Sequence, residues 1–148
     1  MRRIRILHGP NVRYIGKGRE PHWYGEEGWD QVWARLIEKY GHQVRFSYLE
    51  SAHEGDLIEW IWETDAYDGL ILNPGALAHT SYALYDAIKG CQRPCIEVHV
   101  SQIYKREPFR QRLITARACS GIITGLGMYG YELAVLALLH YKFEETAA

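Results

Sequence analysis

The chain lacks an excess of charge of either sign: 17 basic residues face 18 acidic ones, for a formal charge of -1. That balance gives no basic face for nucleic acid and none for an anionic membrane surface. Long hydrophobic runs are also missing. The longest spans residues 133–139, far too short to cross a bilayer. The segment Met1-Arg2-Arg3-Ile4-Arg5-Ile6-Leu7 is basic but has neither the apolar stretch nor the small-residue cleavage site of a signal peptide, so a cytoplasmic protein is expected. Cysteine is scarce. Cys91, Cys95 and Cys119 are odd in number, and Cys91-x-x-x-Cys95 has no second pair of ligands to complete a zinc site. The three read as small, half-buried thiols in a reducing compartment. No His/Asp/Glu spacing resembles a metal site, and no serine sits in a Gly-x-Ser-x-Gly elbow. Repeats, low-complexity tracts and linkers are absent as well.

What is present suits one compact domain. The 148 residues are 47% hydrophobic and 24% charged, a globular composition. Eleven Tyr and five Trp are many for this length, and aromatics at such density line subunit interfaces as well as cores. Short apolar runs alternate with amphipathic stretches. Ile4-Arg5-Ile6-Leu7, residues 43–48, Gly69-Leu70-Ile71-Leu72, Cys95-Ile96-Glu97-Val98 and Gly121-Ile122-Ile123-Thr124 read as strands. Residues 27–40 read as a helix with Trp29, Val32, Trp33, Leu36 and Ile37 on one face, stopped by Gly41. Residues 54–64, 80–89 (capped by Gly90) and 128–141 read as three more. Five strands alternating with helices predict a parallel sheet covered on both faces. Right-handed crossovers favour a doubly wound, flavodoxin-like α/β domain of strand order 2-1-3-4-5.

Ligands of such sheets bind beyond the C-terminal ends of the strands. Unusual chemistry collects there. After Leu7 comes His8-Gly9-Pro10-Asn11 and a loop to about residue 26, long for a strand-to-helix connection, where about 2–6 residues are usual. It carries Gly16, Gly18, Gly25, Arg19 and Tyr24, and is a candidate lid. A cation beside a phenol favours the phenolate, so Tyr24 beside Arg19 could serve as a base; an Arg and a Tyr five residues apart also occur together in solvated loops. Past the third strand come Asn73-Pro74-Gly75 and His79, and past the fourth His99-Val100-Ser101, Arg106 and Arg110. A lone histidine at a strand end is commonly structural. Two on one rim, beside Asn73 and two arginines, point to a site in which either could be acid, base or substrate ligand. Gly125-Leu126-Gly127-Met128-Tyr129-Gly130 matches G-x-G-x-x-G, but the dinucleotide fingerprint needs a further strand and an acidic residue about 20 positions on, and only one more helix follows. It reads as a tight turn with a helix packed close to the sheet.

These residues together resemble the type II 3-dehydroquinate dehydratases, from about Ile4 to about Leu138. Gly9-Pro10-Asn11 followed by Arg19-Glu20-Pro21-His22-Trp23-Tyr24-Gly25 is similar to the family's Gly-Pro-Asn and Arg-Glu-Pro-x-x-Tyr-Gly. His53-Glu54-Gly55-Asp56-Leu57-Ile58, Asn73-Pro74-Gly75-Ala76 with His79-Thr80-Ser81, Ile96-Glu97-Val98-His99-Val100-Ser101 with Arg106-Glu107-x-Phe109-Arg110, and Gly125-Leu126-Gly127-x-x-Gly130-Tyr131 follow in the family's order. The resemblance implies a lyase that works without cofactor or metal. Tyr24 would be the base, with Arg19 favouring its phenolate. Asn11 would hold a water against the enolate oxygen, a form of electrostatic preorganisation. His99, oriented by Glu97, would protonate the leaving hydroxyl. Asn73, His79 and Arg110 would hold ring hydroxyls, and backbone amides near Val100 and Ser101 would grip the carboxylate. The resemblance also implies a homododecamer of trimers, in which Asp86 from a neighbouring copy completes the site.

Several positions depart from the family's pattern. His8 stands where Asn is usual, one extra residue lengthens the lid, and Leu77, Ala78, Tyr85, Gln102, Pro108 and the stretch Gln111-Arg112-Leu113 differ. Three readings follow: dehydration of 3-dehydroquinate, the same chemistry on another cyclic hydroxyketo acid, or a non-catalytic module that binds a small acid or a protein.

Overall fold

The computed structural model describes residues 1–144. Five strands form one all-parallel sheet: β1 (Arg2–His8), β2 (Val44–Glu50), β3 (Gly69–Asn73), β4 (Cys95–His99) and β5 (Gly121–Thr124), in the expected order β2-β1-β3-β4-β5. β3 and β4 are buried along their whole length, as a parallel sheet covered on both faces requires. Alternation divides the core. Ile4, Ile6, Ile71, Ile96 and Val98 meet α2 (Trp29–Tyr40) and α5 (Tyr129–His140) on one face. Leu7, Leu70, Leu72 and Cys95 meet α3 (Glu54–Trp62) and α4 (Tyr82–Cys91) on the other.

The helices fall where periodicity places them, with shifted ends. α2 starts at Trp29, because the Gly28 N–H accepts no helical role and instead donates to Gln31 Oε1 at 2.9 Å. Gly90 is not a cap. α4 runs on through Cys91 and ends at Gln92, whose φ is 55°. Gly90 serves packing instead: a Cβ there would lie 2.4 Å from Trp62 Cη2 of α3. Gly130 has the same use at the start of α5, where a Cβ would sit 3.3 Å from Val98 Cγ1 and Ile123 Cγ2. The glycine-rich turn ahead of it takes left-handed backbone at Gly125 and Gly127, the tight turn inferred from sequence.

Two turns at the C-terminal edge interlock. Gly9 donates its N–H to Asn73 O at 2.8 Å, and a Cβ on Gly9 would meet Pro74 O at 2.5 Å. In return, a Cβ on Gly75, where φ is +61°, would meet Pro10 O at 2.5 Å. Only glycine permits this approach of backbone to backbone. The lid loop holds a 3-10 turn (Val12–Tyr14) and a single helical turn, α1 (Pro21–Tyr24), started by Pro21. Between β4 and β5 the chain makes three 3-10 turns, Ile103–Lys105, Pro108–Gln111 and Thr115–Ala118. No helix among the described residues is long and apolar enough to cross a membrane.

Candidate active site

A cleft opens over the C-terminal ends of β3 and β4, with the lid along one side. Tyr24, Arg19, Asn73, His79, His99, Val100, Ser101 and Arg110 all line it, so eight of the residues singled out from sequence converge on one hollow.

Tyr24 hangs from the end of α1 and is buried. Its phenol oxygen accepts two charge-assisted hydrogen bonds, from Arg19 Nη2 at 2.7 Å and from Arg106 Nη1 at 2.5 Å. Donors of full positive charge hold an oxygen anion better than they hold a neutral phenol. The Arg19 guanidinium also lies 4.0 Å over the Tyr24 ring, and burial lowers its affinity for its proton while Tyr24 and Glu20 oppose the loss. Arg106 is more deeply placed. Its side chain is 2% exposed, and the same Nη1 donates to Ser101 Oγ at 3.0 Å. Glu107 at 3.6 Å and Glu20 at 3.9 Å balance its charge.

Across the cleft His99 Nε2–H donates to Glu97 Oε2 at 2.8 Å, and Glu97 is fully buried. The other carboxylate oxygen accepts from Thr115 Oγ1. With Nε2–H committed to the carboxylate, His99 Nδ1 is the nitrogen left for chemistry. His79 stacks on His99 with ring centroids 6.1 Å apart and donates Nδ1–H to the Arg112 carbonyl at 2.9 Å. Burial pushes the His79 imidazole below its ordinary pKa, which keeps it neutral with a free Nε2 acceptor. Asn73 is tethered at both ends, its Oδ1 accepting from Gly75 N–H at 3.2 Å and its Nδ2 donating to Tyr131 OH at 2.9 Å. Arg110 is held by Glu107 Oε2 at 3.1 Å.

Three expected residues do not line the cleft. Glu97 is fully buried behind His99. Asn11 is exposed with a left-handed φ of 69°, and it meets the site only through its carbonyl, which accepts from Arg19 Nη1 at 3.0 Å. Asp86 is exposed on α4. Two contributors had not been assigned a role. Arg106 was visible in Arg106-Glu107-x-Phe109-Arg110, but nothing in that run says that it reaches Tyr24. Thr115 carried no signal. Nor does His8 touch the cleft: it is fully buried behind Asn73, among Trp29, Tyr48 and Tyr131, and burial pushes its pKa down to about 3. Among the described residues no cluster of His, Cys, Asp and Glu could hold a metal ion.

Fold and cleft together define an α/β domain of the doubly wound, flavodoxin-like class, with a cation-flanked tyrosine facing a carboxylate-bound histidine. A family model described as dehydroquinase class II matches residues 2–139. The 3-dehydroquinate dehydratase of Halalkalibacterium halodurans is 47% identical over 143 residues, covering 94% of this chain and 97% of that protein. The one from Thermotoga petrophila is 40% identical over 145 residues, covering 97% and 98%. Among solved structures, the type II dehydroquinase from Butyrivibrio crossotus superposes with a TM-score of 0.89 at 34% identity, over 93% of this chain and 97% of that one. The chain belongs to the class II dehydroquinase family.

Proposed function

We propose that the protein is a hydro-lyase converting 3-dehydroquinate to 3-dehydroshikimate, the reaction named for its relatives. The observation that carries this reading is the pair of guanidinium groups on the Tyr24 oxygen, set on the opposite wall from the His99–Glu97 pair.

The Tyr24 phenolate takes the proton from the carbon beside the ketone. The C–H electrons move into the carbonyl to give an enolate, and Tyr24 becomes a neutral phenol. The enolate then re-forms the ketone and expels the ring hydroxyl, which leaves as water with a proton delivered through His99. One C–H and one C–O bond break, one C=C bond forms, and no electrons are exchanged with another molecule. Glu97 holds the His99 ring and offsets positive charge on it. The N–H groups of Val100 and Ser101 donate to no other described residue and suit a carboxylate; Asn73, His79 and Arg110 suit ring hydroxyls. Asn11 steadies Arg19 through its carbonyl, and its amide can hold a water at the enolate only if the lid turns it inward. The chain works as one domain, in a homododecamer of trimers where Asp86 of a neighbouring copy closes the cleft. The pathway is the one leading through shikimate to the aromatic amino acids.

The positions that depart from the family pattern do not favour another substrate. His8, Leu77, Ala78, Tyr85, Gln102, Pro108, Gln111, Arg112 and Leu113 are all absent from the cleft wall. Ultraviolet absorbance during incubation with 3-dehydroquinate tests the proposal, because elimination creates a conjugated enone. A rise in absorbance that Tyr24→Phe lacks is expected. A flat trace from folded wild-type protein would overturn the choice of substrate.

A further inference from the structure

His8 sits beside Asn73 in the β1–β3 ladder, and its imidazole is sealed inside the protein. The hydrogen bonds around it have a direction that elementary donor–acceptor counting fixes. Gly75 N–H can only donate, so the Asn73 oxygen faces Gly75 and the Asn73 nitrogen faces Tyr131. That nitrogen can only donate, so the Tyr131 oxygen accepts, and the Tyr131 hydroxyl proton must go elsewhere. At the other end Tyr48 gives its one proton to Glu50 Oε2 at 2.9 Å. Its oxygen, 3.0 Å from His8 Nδ1, must therefore accept from Nδ1–H. His8 is then the tautomer that bears its hydrogen on Nδ1, and Nε2 presents a bare lone pair. That Nε2 is buried without a partner. One proton on Tyr131 and one lone pair on His8 are left over, in fully buried rings whose centroids are 5.3 Å apart.

We propose that His8 is a positioning residue that joins these leftovers, directly or through one bridging water, into a one-way hydrogen-bond chain from Asn73 through Tyr131, His8 and Tyr48 to Glu50. The chain fixes the Asn73 amide so that its second N–H and the free side of its oxygen face the cleft. Trp29, whose ring centroid is 4.4 Å from that of His8, walls the chain and also has a buried indole N–H without a partner. A bridging water could accept from that N–H as well.

The substrate half of this inference rests on the dehydratase reading; the tautomer half does not. Full-length protein labelled with 15N in histidine, assigned with His8→Phe, should show His8 protonated on Nδ1 and bare on Nε2. In Tyr48→Phe the two tautomers should mix. A bare Nδ1 in the wild type would overturn the proposal whether or not the protein turns over dehydroquinate. With 3-dehydroquinate, Tyr131→Phe and His8→Phe should each raise KM about tenfold and leave kcat within about threefold. The double variant should be no worse than either single one, because both break one chain. His8→Gln, which keeps an acceptor, should recover part of the loss. Unchanged KM in Tyr131→Phe, or equal losses falling on kcat, would sink the positioning role. If His8→Phe does not fold, His8→Gln supplies the assignment, and the Tyr48→Phe spectrum and the Tyr131→Phe kinetics decide.

Discussion

Arg106 donates to the Tyr24 hydroxyl at 2.5 Å across 82 positions of sequence. One residue comes from the lid after β1, the other from the turns after β4, and the bond closes the cleft between them. Arg19, five residues from Tyr24, supplies the local half of the same cradle. The Tyr24 oxygen is thus held by one near cation and one distant one.

Tyr24→Phe should abolish turnover more completely than the ~10²–10⁴ typical of a general acid–base group, because the same oxygen anchors both arginines. The enone absorbance measures the rate, and circular dichroism checks the fold. A variant within tenfold of wild type would remove Tyr24 from the mechanism.

Arg106→Met should lower kcat by roughly 10²–10⁴, the range usual for disabling a general base, because it removes one of the two cations that favour the phenolate form of Tyr24. Arg106→Lys should recover only part of it. One ammonium cannot repeat the planar contacts that reach Tyr24 and Ser101 together. Equal activity in the lysine variant would mean that charge alone matters there.

Glu97→Gln keeps the shape of the site and removes the charge behind His99. A fall in kcat of about 10²–10⁴ is expected, with KM within about threefold. Thr115→Val should cost less, about tenfold, since it frees the carboxylate without removing it. A large effect on KM rather than kcat would argue for a substrate-binding role instead.

His8 gives stability a pH dependence of known sign. Burial holds its folded pKa at about 3, below the ordinary 6.5 of the unfolded chain. Between these values the unfolded chain binds a proton that the folded chain refuses. Stability therefore rises with pH through that window, falls on acidification, and has no His8 slope above it. Urea unfolding of the wild type should lose about 1.4 kcal/mol more per pH unit, from pH 6 to 4, than His8→Phe. Parallel slopes in the two proteins would show that His8 does not titrate this way.

Gly75→Ala should destabilise the protein by about 2 kcal/mol or more, because it strains a left-handed position and drives a Cβ against the Pro10 carbonyl. KM should rise as well, since Gly75 N–H holds the Asn73 oxygen. Thermal unfolding and steady-state kinetics check the two parts separately.

The sheet order was legible in the sequence because β-forming runs alternate with helical periodicity, and parallel crossovers leave few topologies. The C-terminal-edge rule then placed Tyr24, Asn73, His79 and His99 on one rim. Helix ends were less readable: Gly90 has the composition of a cap, yet it serves the close approach of Trp62. Arg106 and Thr115 were missed as partners because a contact across tens of residues leaves no local pattern. The place of His8 was hidden in a different way. As a departure from the family it suggested a changed substrate, whereas its side chain lies behind the cleft, where sequence position alone gives no depth.

The interior place of β1, with β2 on one side and β3 on the other, bears on how the molecule folds. Both neighbours of β1 follow it in sequence, and β5 lies at the far edge of the sheet. Arg106 lies between the last two strands, so its meeting with Tyr24 waits for a long chain closure. During refolding, far-ultraviolet signal and the β1–β3 core should return first, and catalysis last. No fragment ending before Arg106 can carry both halves of the cradle around the Tyr24 oxygen.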